Sequence, residues 1–222
     1  MARIARVVLP GYPHHIIQRG VRSMAVFFSN DDRHEYVRLL HEQSRRFGVR
    51  FLAYCLMNNH VHLVAIPEKE ESLARAVGEA HRLYTRGINF REGVRGYLFQ
   101  GRFYSCPLDE RHLLAAVRYV ERNPVRARMV KEAWSYEWSS ARYHVGLKKD
   151  DSLIEGFEMR EWVVDWKEFL RSEPPEIEKL RQKVRTGRPC GDNQFVLEAE
   201  RLTGRQLRPL EAGRPRRNKI SK

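Results

Sequence analysis

The chain has 222 residues, 42% of them hydrophobic, which allows one large domain or one domain with an appendage. Lys and Arg total 41 against 28 acidic residues, and the resulting net charge of +13 points to a polyanionic partner, nucleic acid ahead of an anionic membrane surface. No apolar run is long enough to span a membrane, and the stretch from Met1 to Pro10 is too short for a signal peptide. The three cysteines, Cys55, Cys106 and Cys190, are odd in number and far apart. They make neither a disulfide framework nor a Cys-x-x-Cys knuckle, consistent with a reducing cytoplasm.

Pro13 to Gln18 reads as a short strand ending at Arg19-Gly20. Asp31-Asp32 then caps a helix to about Phe47, with Tyr36, Leu39, Leu40 and Phe47 at helical spacing and Gly48 as its stop. Val49 to Met57 is apolar on both faces, as expected of a central, doubly buried strand. Asn58-Asn59 is a turn dipeptide, because Asn tolerates positive φ, and it joins this strand to an antiparallel partner ending at Pro67. Strand side chains alternate, so His60, His62, Val64 and Ile66 share one face while Asn59, Val61, Leu63 and Ala65 share the other. Two neutral imidazoles side by side can supply two corners of a metal site. The plainer reading of a lone His-x-His is two half-exposed histidines near a strand end.

Ser72 opens the next helix, with Leu73, Ala76, Val77, Ala80, Leu83, Tyr84 and Ile88 on one side and Gly87 and Gly93 loosening its far end. Tyr97 to Pro107 is aromatic and β-prone, and Asp109 caps a further helix that must stop before Pro124. Strand, helix, strand, strand, helix, strand is the order of an α+β, ferredoxin-like split βαβ sheet, with one helix added after the fourth strand. Its first and third strands are the central neighbours, which sets His60 and His62 in mid-sheet. Trp138-Ser139-Ser140 starts a short helix ending by Gly146. The chain then turns strongly polar, dividing a catalytic unit over 1–147 from an extension over 148–222. That extension reads as helices over 162–170, 176–184 and 195–202, then a basic tail.

In the added helix, Leu113, Ala116, Val117 and Val120 form the apolar stripe. Tyr119 and Asn123 fall one turn apart on a flank of that stripe, with His112 near the same flank. A cation held by two imidazoles and an amide oxygen keeps its full charge, which suits polarising a phosphodiester oxygen more than activating water. A nearby phenol can then attack phosphorus and form a covalent phosphotyrosine. No Walker loop and no acidic two-metal cluster accompanies the histidines. Tyr84, the rival helical tyrosine, lies on an apolar stripe and reads as core.

Asn59-His60-Val61-His62-Leu63 resembles the His-hydrophobe-His motif of the HUH single-strand DNA transferases, and Tyr119 to Ala127 resembles the tyrosine segment of single-tyrosine transposases. With Pro-His-His-Ile-Ile-Gln-Arg-Gly, Gln100-Gly-Arg-Phe and Asn-Pro-Val-Arg-Ala, the chain is most similar to the REP-associated tyrosine transposases, relatives of the IS200/IS605 enzymes, over about Arg3 to Gly146. The resemblance implies Mg²⁺ or Mn²⁺ at His60, His62 and Asn123, with Tyr119 as nucleophile. It implies cleavage of single-stranded DNA beside REP-type hairpins through a 5′-phosphotyrosine, in the cytoplasm of a bacterium and in association with its nucleoid. Asn123 stands where the wider group has Gln.

Candidate DNA contacts are Arg19, Arg22, Gln100, Arg102, Arg122, Arg126 and Arg128 around the site, with Phe103 and Tyr104 as stacking residues. Arg188, Arg214, Arg216 and Arg217, interleaved with Gly and Pro, resemble a backbone-tracking arm. With the tyrosine and the amide on one helix, a site completed within a monomer is the simplest arrangement. Two other readings are a nuclease using activated water at the same histidines and a non-catalytic nucleic-acid-binding module, though the aromatic pattern of RNA-binding sheets is missing.

Overall fold

Met57 pairs with His60 across Asn58-Asn59, so the hairpin closes with a two-residue loop, but neither asparagine takes the positive φ expected of it. The Asn58 and Asn59 carbonyls accept from Val26 N and Gly20 N, each at 2.8 Å. The computed structural model describes residues 5–154 and 158–208. Its elements run β1 (His14–Arg19), α1 (Asn30–Phe47), β2 (Val49–Met57), β3 (His60–Pro67), α2 (Ser72–Glu92), β4 (Tyr104–Pro107) and α3 (Glu110–Glu121). The strands form one antiparallel sheet in the order β2-β3-β1-β4, the split βαβ arrangement.

Strand alternation divides the interior in two. Val61, Leu63 and Ala65 of β3 face a core closed by α1 and α2, where Tyr36, Leu40, Val77 and Tyr84 are buried. Val64 and Ile66 face a second core closed by α3, with Leu113, Ala116, Val117 and Val120. His60 and His62 share the face of Val64, so the histidines look toward the tyrosine helix.

β2 is an edge strand, not the central one its apolar sequence suggests. Its free edge is sealed instead. Leu56 N donates to the Trp138 carbonyl at 2.8 Å, Ser140 N to the Tyr54 carbonyl at 3.1 Å, and the Tyr136 hydroxyl to the Leu56 carbonyl at 2.8 Å. A register shift between Phe51 and Ala53 bends the strand as it passes. Covering an edge with a loop satisfies its backbone groups and buries both faces, which is why the sequence mimics a central strand.

Local signals moved at several element ends. Ser29, not Asp31-Asp32, caps α1: its hydroxyl accepts from Asp32 N while the Asp32 carboxylate accepts from Ser29 N, a capping box. Within Tyr97–Pro107 only the last four residues are strand; before them Gly101 takes φ +61°. Pro124 begins a new turn of helix, α4 (Asn123–Arg126), because proline is tolerated in a first turn.

Beyond it lie α5 (Ala141–His144), α6 (Glu158–Glu161), α7 (Trp166–Phe169), α8 (Ile177–Thr186) and α9 (Asn193–Thr203). α7 is one turn inside the longer helix expected over 162–170, because Asp165 caps it. α8 sets Leu180 and Val184 into the second core against α3, while Phe195 and Ala199 of α9 close a small separate core on Val7 and Leu9. All three cysteines are free and buried. No helix among the described residues is long and apolar enough to cross a membrane. Arg214, Arg216 and Arg217 lie outside the described residues.

Candidate active site

β3 presents His60 and His62 on its lower face, and α3 crosses beneath them. The Tyr119 ring meets the His62 ring edge-on, with centroids 5.5 Å apart, and His60 and His62 lie 5.0 Å from one another. Tyr119, His60 and His62 line a single cavity of about 360 Å³, together with Ile17 and Arg19 of β1, Gln100, Tyr104 and Arg126. The fourth wall is α8, through Arg181, Val184 and Arg185.

Both histidines are neutral. Burial, with Arg19 and Arg126 nearby, pushes His60 down to about 4. Burial and the neighbouring His15 and His60 hold His62 well below the ordinary imidazole range, helped by the same two arginines. His60 Nδ1 lies 2.6 Å from Asn59 Oδ1, an oxygen that only accepts, so Nδ1 carries the proton and the Nε2 lone pair is left for another partner. His62 Nδ1 lies 3.1 Å from His15 Nε2. The donor set fits a divalent cation at the imidazole pair when the His62 proton lies on Nδ1, toward His15. Asn123 fits less directly, because its Oδ1 already accepts from Arg126 Nη2 at 2.8 Å and its Nδ2 donates to the Tyr119 carbonyl at 3.0 Å. Among the described residues, no group of three or more His, Cys, Asp or Glu side chains is arranged to hold a metal ion.

Arg126 ties the helix residues together. Its Nη2 also donates to the Tyr119 phenol oxygen at 3.1 Å, and its guanidinium carbon sits 4.8 Å from the centre of that ring. One cation thus holds the phenol and the Asn123 amide in a fixed relation. Tyr119 and Asn123 are more enclosed than a flank position suggests, at 5% and 2% exposure.

The other expected residues separate. Arg19, Gln100 and Tyr104 reach the cavity, whereas Arg102 lines a different groove beside Phe103. Phe103 is buried with the Arg6 guanidinium stacked on it at 3.7 Å, a packing role rather than a base platform. Arg122 donates to the Leu170 carbonyl and so holds α7. Arg22 and Arg128 are exposed at left-handed turns, with φ +52° and +58°, and neither lines the cavity. Arg188 follows α8, half-buried and outside the cavity lining. His112 Nδ1 pairs with Asp109 at 2.6 Å at the head of α3, not at the site. Tyr84 is core, its hydroxyl donating to the Val26 carbonyl at 2.6 Å.

Sequence reasoning missed His15, Arg181 and Arg185. Alternation could have put His15 on the face of Ile17, but only the β1–β3 register, pairing Ile17 with His62, brings it diagonally against His62. Nothing in the sequence ties α8 to the sheet.

A family model described as "Transposase IS200 like" matches residues 11–123, from the turn before β1 to Asn123. No curated protein matches the chain. Among solved structures, the fold is similar to one titled "Structure of the REP associates tyrosine transposase bound to a REP hairpin", at 16% identity and a TM-score of 0.58, over 71% of this chain and 93% of that one. The matched stretch carries the sheet, both histidines and the tyrosine helix, and the chain belongs to the IS200-like family of tyrosine transposases.

Proposed function

We propose that this transposase cuts single-stranded DNA beside a REP-type hairpin and rejoins it through a 5′-phosphotyrosine on Tyr119. The observation that carries the reading is the 5.5 Å approach of the Tyr119 ring to His62 within one chain, beside a cavity lined by arginines. The likeness to a transposase bound to a REP hairpin supports the substrate. That approach also favours a site completed by a monomer.

His60 and His62, with Asn123 once Arg126 releases its amide oxygen, would hold Mg²⁺ or Mn²⁺. When bound, such an ion supplies Lewis-acid polarisation of a phosphodiester oxygen. The chain's own residues do the rest. Tyr119 Oη attacks phosphorus, a Tyr–O–P bond forms and the P–O3′ bond breaks. The freed 3′ oxygen ends as a hydroxyl carrying the proton that the phenol gave up. The ester survives in the intermediate, so a 3′ hydroxyl can reverse the step without ATP. Arg126 keeps the phenol directed into the cavity, and Arg19, Arg181 and Arg185 neutralise flanking phosphates. The positive charge fits a DNA substrate, and the free cysteines agree with work on it in a reducing cytoplasm.

The test is a labelled single-stranded hairpin oligonucleotide incubated with Mg²⁺ or Mn²⁺ and run on a denaturing gel. The expected result is a protein-linked label, absent in Tyr119→Phe, in His60→Ala and with chelator. Cleavage without that label, persisting in Tyr119→Phe, would assign the histidines to a water-activating nuclease instead.

A further inference from the structure

His15 is fully buried. It sits on the site face of β1, with its ring stacked 5.4 Å from His62 and edge-on 5.6 Å from Tyr119. Its Nε2 lies 3.1 Å from His62 Nδ1, while its own Nδ1 is buried with no partner. Two neutral imidazoles sharing one hydrogen bond have two arrangements, and they differ in consequence. If His15 donates, the His62 proton must sit on Nε2 and block the nitrogen that faces the cavity. If His62 donates, its Nε2 lone pair is exposed to the cavity, and His15 carries its proton on the unpartnered Nδ1.

We propose that His15 is the positioning residue of His62: its Nε2 accepts the His62 Nδ1–H, fixing the ring and leaving the His62 Nε2 lone pair for a divalent cation. The inference rests on the proposed metal role of the histidine pair. Asn59 does the same for His60, so each imidazole has an acceptor behind it on Nδ1 and an open Nε2 in front. Acceptors behind metal-binding imidazoles hold the tautomer and typically change metal affinity by about 10- to 100-fold. The unsatisfied nitrogen on His15 is the cost of this arrangement, a buried donor left without a partner so that His62 can ligate. An apolar ring in its place removes that cost together with the acceptor.

The experiment measures Mn²⁺ affinity by calorimetry on the full chain, independently of DNA cleavage, for wild type, His15→Phe, His15→Gln and His60→Ala. Thermal melts in chelator accompany each variant. His15→Phe is expected to melt at or above wild type and bind Mn²⁺ about 10- to 100-fold more weakly. His15→Gln, whose amide oxygen can take the place of Nε2, is expected to stay within about threefold of wild type. Wild-type affinity, or tighter binding, in a folded His15→Phe overturns the proposal, because it means His15 was the donor or was idle. Equal losses in both His15 variants also overturn it, by assigning the effect to packing. Histidine ¹⁵N spectra of the metal-free wild type provide a check that needs no variant, since the proton is expected on His62 Nδ1 and a proton on Nε2 refutes the proposal. Full Mn²⁺ affinity in His60→Ala would instead sink the metal reading itself, a separate failure.

Discussion

Arg126 touches the Tyr119 phenol, the proposed nucleophile, and the Asn123 amide at once, and its interest lies in being a cation where a second cation is proposed. With Asn123 Oδ1 engaged at 2.8 Å, any metal that takes this oxygen must displace the guanidinium, freeing it for a phosphate in the same cavity. That exchange was invisible in the sequence, where helical spacing placed Tyr119 and Asn123 together but said nothing of a side chain three residues further on. Individual histidines also set the pH response. His14 accepts from Leu9 N at 3.2 Å and donates to the Tyr12 carbonyl at 2.8 Å, so both its nitrogens are satisfied only when it is neutral. Burial pushes it down to about 4, and burial alone pushes His81 down to about 3. Unfolding restores both toward 6.5, so the unfolded chain binds more protons below that pH and stability falls as the solution is acidified. Each contributes a loss approaching roughly 1.4 kcal/mol per pH unit, or roughly 2 kcal/mol by pH 5. Urea unfolding at pH 7.5, 6 and 5 measures this. A midpoint that does not move between pH 7.5 and 5 would contradict neutral burial of both rings.

At the level of elements, much of the fold was legible because its signals are local. Alternation along β3, the Asn-Asn turn and the Asp109 cap each act within a few residues, and they yielded the hairpin, the histidine face and the start of α3. What was not legible depends on distant pairing. The apolar run of β2 could not reveal that one side of it is sealed by residues 136–140 and not by another strand. That seal is anchored by a buried polar knot at the end of α3. The Ser140 hydroxyl donates to Glu121 Oε1 at 2.5 Å and accepts from Tyr54 N at 3.0 Å, and His144 Nδ1 meets the same carboxyl oxygen. Glu121 is fully buried and its other oxygen has no partner, so the carboxyl depends on these two contacts. Ser140→Ala removes one of them and orphans the Tyr54 amide, and it is expected to cost about 1–3 kcal/mol. Equilibrium denaturation gives that number directly. A loss below a few tenths of a kcal/mol would mean that the knot does not hold the edge. The same knot links the tyrosine helix to α5, so the variant also tests whether sealing the edge steadies Tyr119.

For the whole molecule, the excess of 13 positive charges matters through where it converges. Arg19, Arg126, Arg181 and Arg185 enter the cavity from β1, α4 and α8, and among the described residues no carboxylate lines it. Two of these four come from beyond residue 147, where the sequence suggested an appendage. α8 reaches the site because Leu180 and Val184 are buried against α3 and the sheet, which brings Val184 and the adjoining flank, Arg181 and Arg185, to the cavity wall. If this wall of the cavity holds DNA, the salt dependence of binding reports it. Each single-strand phosphate neutralised contributes a slope of about −0.7 to the dependence of log affinity on log salt concentration. The double variant Arg181→Ala, Arg185→Ala is expected to make that slope shallower by up to about 1.4 and to weaken single-strand binding at low salt. Arg181 contributes less than its share, because it leaves an ion pair with Glu178 at 2.9 Å to reach a phosphate. Mn²⁺ affinity should not fall, since neither residue is a proposed ligand and removing cations from the cavity does not oppose a divalent ion. Arg38→Ala is the control: its side chain is already paired with Glu35 and Glu42 on α1, far from any cavity-lining residue in sequence, and it should leave the slope intact. Fluorescence anisotropy across a salt series reads all three proteins. If the double variant keeps the wild-type slope, α8 is a buttress of the core and the strand passes elsewhere. If it loses the slope while holding metal, electrostatics from the C-terminal part of the chain and chemistry from the sheet meet at one cavity.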